Sequence, residues 1–67
     1  MWIARDKDGG LYSFMNKPWR QTINNMWIDS NVYLDYKYEG VGCLEQLDSN
    51  LYSDLTWEDE PIIKPIN

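Results

Sequence analysis

The chain has 67 residues, 11 acidic against 6 basic, for a formal net charge of -5. A single domain of that length removes only ~60% of its unfolded surface from water, so its core is thin. The absence of His and the single cysteine, Cys43, exclude zinc chemistry, His-based triads and an intramolecular disulfide.

No apolar run approaches the ~20 residues that span a bilayer, and Met1-Trp2-Ile3-Ala4-Arg5 lacks the charged-then-apolar layout of a signal peptide. The cytoplasm is the expected address. Four Trp, five Tyr and one Phe supply the core material that a short aliphatic set would not, since each ring can bury ~150–250 Å².

Trp2-Ile3-Ala4 and Leu11-Tyr12-Ser13-Phe14-Met15 flank Asp8-Gly9-Gly10 and predict a β-hairpin, because Gly accepts the positive φ that tight hairpin turns demand. Two registers fit. A turn on Asp8-Gly9 alone places Ile3 opposite Phe14; a longer turn with Gly9 in a left-handed bulge places Trp2 opposite Phe14 and Ala4 opposite Tyr12. Lys17-Pro18 then ends the second strand, and Trp19 to Asn25 reads as a connector with Trp19 as a lid on one end of the core.

Met26-Trp27-Ile28 is the next strand candidate, followed by Val32 to Tyr38, where apolar and polar positions alternate with the period of two of a strand with one wet face. Tyr33 falls on that wet face beside Asp35 and Lys37. Leu44, Leu47, Leu51 and Leu55 recur with helical spacing, but Asp48-Ser49-Asn50 in their midst favours turns over helix interiors. A short strand over Cys43 to Leu47 is therefore expected, then one helical turn from Asp48 or Ser49, then a strand over Leu55-Thr56-Trp57-Glu58. Pro61 and Pro65 predict an extended tail over 61–67, docked along an edge by Ile62 and Ile63, after a single domain over 1–60. The fold class expected is mainly β, a small antiparallel sheet or open barrel of about four to five strands with at most one short helical turn.

Trp2 to Gly9, with Leu11-Tyr12 and Phe14, resembles the start of a set of small uncharacterised proteins common in gut Bacteroidales and their phages. Leu47-Asp48-Ser49, Leu51-Tyr52 and Leu55-Thr56-Trp57-Glu58-Asp59-Glu60-Pro61 resemble their C-terminal signature. These stretches cover about half the chain. Asn25 to Gly42 is longer than is usual in that group, and Tyr52-Ser53 stands where an aromatic followed by proline is often seen. The resemblance implies a phage or mobile-element setting and no particular chemistry.

Charge is unevenly placed. Residues 1–20 hold Arg5, Lys7, Lys17 and Arg20 against Asp6 and Asp8, a balance of +2, and residues 21–67 hold nine acids against Lys37 and Lys64, a balance of -7. Asp54, Glu58, Asp59 and Glu60 form a cluster that, with Trp57, is the candidate partner-binding set: acids beside an aromatic anchor would dock on a basic surface of a host protein. Imitation of a nucleic-acid phosphate ladder is the sharper version of that idea; a solvated acidic tail is the plainer one. The alternative set is Arg5, Tyr12, Trp19, Arg20 and Tyr33, in which rings stack a base or sugar and Arg meets a phosphate, as in a nucleotide-sequestering protein. Against it stands pairing of these cations with Asp6 and Asp8 across the strands.

Direct nucleic-acid binding is disfavoured by the net charge. No cofactor or metal is expected, since the acids lack calcium-loop spacing. Cys43 reads as a packed hydrophobe, and with no phosphate loop or nucleophile elbow the chain reads as non-enzymatic. The expected role is thus an acidic interaction protein of a phage or mobile element, binding and inhibiting a host protein. The runners-up are ligand sequestration, with a homo-oligomer interface supplying extra core, and a purely structural subunit.

Overall fold

A computed structural model describes residues 1–30 and 42–64. These form six strands: β1 (Trp2–Arg5), β2 (Leu11–Phe14), β3 (Pro18–Gln21), β4 (Met26–Asp29), β5 (Cys43–Leu47) and β6 (Ile62–Ile63). All pairings are antiparallel, in one sheet ordered β5-β2-β1-β6 and a second made of β3 and β4. Among the described residues the fold is mainly β, without a helix and without closure into a barrel. None of their elements is a helix long and apolar enough to cross a membrane.

The first hairpin takes the longer of the two registers, Trp2 opposite Phe14 and Ala4 opposite Tyr12. Gly9, at φ 96°, supplies the left-handed position, and its amide donates to the Asp6 carbonyl at 3.0 Å while the Asp6 amide reaches the Gly10 carbonyl at 2.8 Å. The Asp8 carboxylate caps the turn by accepting from the Gly10 amide at 2.9 Å. Asp8 and Asp6 thus accept from backbone amides, where the sequence suggested ion pairs across the strands.

Trp19 to Asn25 is not a connector. Pro18–Gln21 pairs with Met26–Asp29, Arg20 opposite Trp27, as a second hairpin. Pro18 opens the strand, a ladder position where a missing N–H costs little, and Gln21 Oε1 closes the turn by accepting from the Asn24 amide at 2.7 Å. Asn25 takes the left-handed conformation, φ 58°, which its short side chain tolerates. Trp19 is 39% exposed and does not seal the core. The two hairpins join through Trp27, whose indole N–H donates to the Arg5 carbonyl at 2.8 Å and whose amide donates to Asp6 Oδ1 at 2.9 Å.

The four-stranded sheet is buried on both faces. Ile3 and Leu11 lie on one side under Leu55, with Leu47, Tyr52 and Ile62 packed around them. Ala4 and Phe14 lie on the other under Trp27, with Trp2, Tyr12, Cys43 and Trp57 around them. β5 forms as expected over Cys43–Leu47, an edge strand with exposed Leu44, Glu45 and Gln46. Turns follow it: the Leu51 amide donates to the Asp48 carbonyl at 3.0 Å and the Leu55 amide to the Tyr52 carbonyl at 2.8 Å.

The strand expected over Leu55 to Glu58 is also a turn. Asp59 Oδ2 accepts from the Thr56 amide at 2.8 Å and its hydroxyl at 3.1 Å, and the Asp59 amide donates to the Thr56 carbonyl at 3.1 Å. Local side-chain bonds of this kind outcompete a ladder. Ile62 and Ile63 do dock on an edge, pairing with Ile3 and Trp2. The strand expected over Val32 to Tyr38 lies outside the described residues.

Two outcomes follow. Gly9→Ala meets no neighbour within 4 Å, so its cost is the left-handed backbone alone. Thermal melting should show a loss of about 1 kcal/mol and a Tm roughly 4–8 °C lower; an unchanged Tm would refute the bulged turn. Asp6 titrates above its ordinary 3.8, through burial first and the Asp8 charge beside it, against the lowering pull of the Trp27 amide. A carboxyl raised in the folded state favours folding only while protonated, so its contribution is lost as pH rises through the window between 3.8 and the raised value. Asp6→Asn keeps an oxygen for the Trp27 amide, so it should raise Tm at pH 7, with the gain shrinking toward pH 4 in melts run across that range.

Candidate functional site

Two arginines decide where the acidic segment sits. Arg5 follows Ile3 by two positions on β1 and so points to the same face, beneath the turns of residues 48–55. A guanidinium has ~5 N–H donors, and Arg5 places a full set on main-chain carbonyls. Nε donates to Leu55 at 2.5 Å, Nη1 to Gly9 at 2.8 Å and Ser49 at 3.1 Å, and Nη2 to Leu51 at 2.9 Å and Tyr52 at 3.1 Å. Turn carbonyls that no ladder could satisfy are thereby gathered round one cation, each such bond being worth more than its neutral counterpart.

Arg20, on β3, does the same for the next turn. Its guanidinium lies between two indoles, 4.8 Å from the Trp27 ring centre and 5.3 Å from that of Trp57, and those rings meet edge to face at 5.7 Å and 68°. From this slot Nη2 donates to the carbonyls of Trp57 at 3.0 Å and Asp59 at 3.2 Å. Its buried Nε has no acceptor among the described residues, and the attraction of the cation to both indoles offsets that cost.

Between the pinned turns lies an open groove of about 540 Å³. Tyr52, Leu55 and Ile62 supply its apolar surface, Asp54, Asp59 and Glu60 its charge, and Ser53 completes the lining. Tyr52 sits at φ 49°, a left-handed backbone uncommon for an aromatic residue. The Arg5 bond to its carbonyl and the Leu55 amide bond hold it there. The Lys64 ammonium stands 5.2 Å from the Tyr52 ring centre.

Of the partner-binding set, Asp54, Asp59 and Glu60 come together at this groove, and Glu58 is exposed on the turn outside it. Trp57 faces inward onto Trp27 and Arg20. The sequence carries no signal for Tyr52 and Leu55 as site residues: Leu55 reads as strand, and nothing marks Tyr52 as left-handed.

The alternative set does not converge. Arg5 and Arg20 are committed to different turns and direct the donors described above at the chain's own carbonyls. Tyr12 packs into the Trp27 cluster, its hydroxyl raised above its ordinary pKa by burial first, then by Asp6, Asp8 and Cys43. Trp19 is exposed on β3, and Tyr33 lies outside the described residues. No protein-family model, curated protein or solved structure matches the chain.

Removing the first pin tests this construction. Arg5→Met strips the turn carbonyls of their shared donor and should cost roughly 3 kcal/mol, about the net worth of two charged hydrogen bonds, lowering Tm by on the order of 10–20 °C. Arg5→Lys, with ~3 donors on a single nitrogen, should recover less than half of that loss in the same melts. A loss below ~1 kcal/mol for Arg5→Met, the worth of a single neutral bond, would contradict the role given to this residue.

Proposed function

We propose that the protein is a non-enzymatic acidic interaction protein that binds a host protein through the surface built by residues 52–62. The observation that carries this reading is the gathering of Asp54, Asp59 and Glu60 around an apolar floor of Tyr52, Leu55 and Ile62. Apolar contact gives such a surface grip, and the carboxylates, within a chain of net charge -5, steer a basic partner toward it. The resemblance of both chain ends suggests a phage or mobile-element setting, and inhibition of the bound host protein in the cytoplasm is the outcome this reading expects there.

Sequestration of a phosphorylated ligand draws less support. It needs Arg5 and Arg20 to offer donors outward, and the bonds described above point inward to main-chain carbonyls.

A partner captured from host lysate by the tagged protein, then purified, provides the test. The association rate should fall about tenfold or more between low and physiological salt, as steered encounters do, and fall again for Glu58→Lys with Glu60→Lys. Rates indifferent to both salt and charge reversal would refute the reading.

A further inference from the structure

We infer that the groove seats one long cationic side chain, lysine or arginine, presented by an extended segment of the protein partner. The inference rests on the interaction reading above and names the group that reading leaves unspecified. Such a side chain has an apolar stem and a charged tip, and it seeks a site with both characters. The groove offers Tyr52, Leu55 and Ile62 to the stem and Asp54, Asp59 and Glu60 to the tip, in a volume of about 540 Å³.

A bare metal ion is a poorer fit than a side chain. Among the described residues, no three or more acidic or cysteine side chains draw close enough to hold a metal. The face of Tyr52 already receives an ammonium, that of the chain's own Lys64 at 5.2 Å, so a cation of this kind is compatible with the ring's position.

Preorganisation is the third argument. Arg5 holds the carbonyls of Ser49, Leu51, Tyr52 and Leu55, and Arg20 holds those of Trp57 and Asp59, so both turns are set before a partner arrives. A seat built in advance spares the ordering cost that weakens binding by mobile loops. Lys64, 5.2 Å from the centre of the Tyr52 ring, is a resident positive charge beside the seat and opposes an incoming cation.

The test is an amide-shift NMR titration of the whole chain with capped Ala-Leu-Lys-Leu-Ala, repeated with arginine, norleucine or citrulline at the central position. Lysine and arginine peptides should shift the amides of 52–55 and of Asp59, Glu60 and Ile62, and the neutral ones should not. Asp54→Asn with Glu60→Gln, both exposed and nearly isosteric, should weaken the lysine peptide several-fold. Lys64→Met should tighten it about threefold by removing the resident cation beside Tyr52. Lys7→Met, the same charge change at another exposed lysine, should do less.

Shifts scattered over the surface, indifference to the double variant, or equal effects of Lys64→Met and Lys7→Met would each overturn the inference. If the peptides ignore the groove while partner association still responds to Glu58→Lys, the interaction reading survives and the seat does not. If neither responds, both fall.

Discussion

The structure depends on one guanidinium. Arg5 projects from the sheet and collects the carbonyls of Gly9, Ser49, Leu51, Tyr52 and Leu55, so a region without regular structure is tied to β1. Isolated turns expose carbonyls to water and fray; a shared cation makes them mutually dependent. Leu55 can then close over Ile3 and Leu11, and Tyr52 can be kept in a conformation it would otherwise avoid. Arg20 repeats the device on the opposite side, with tryptophan faces in place of an apolar floor.

Size explains why such a device is used. A sheet of four short strands needs cover on both faces, and a chain of 67 residues has little left to build a second layer. One face is covered by a two-stranded hairpin centred on Trp27, the other by turns. Turns bury poorly because their polar groups lack ladder partners. Placing a cation among their carbonyls removes that obstacle without using the side chains of Asp54 and Glu60, which are exposed. Stability and the candidate site therefore share their cause.

Much of the fold was legible in short-range chemistry. Asp8-Gly9 announced the first hairpin, the turn-forming Asp48-Ser49-Asn50 separated β5 from a helical reading, and Ile62-Ile63 docked where their apolar character suggested. The misses share a different origin. β3 was obscured by Pro18, whose place at the very start of a strand is permitted but reads as a stop. Leu55 to Glu58 has strand-forming composition, yet Asp59 three residues beyond Thr56 caps a turn there, and Arg20 accounts for the Trp57 carbonyl from 37 residues away. The acids of the candidate site were visible as a cluster. Their apolar companions were not, because Tyr52 and Ile62 meet only through long-range packing against Ile3 and Leu11.

The central claim is that these turns belong to the same cooperative unit as the sheet, and native-state amide hydrogen exchange measures that directly. The Leu51, Leu55 and Asp59 amides close the turns, and those of β1 and β2 report the sheet. If Arg5 and Arg20 tie the turns to the sheet, the turn amides should exchange with the opening free energy of the strands, through global unfolding. Exchange of Leu51, Leu55 and Asp59 at the rates of exposed peptide, while β1 and β2 stay protected, would show that the arginines do not hold the turns.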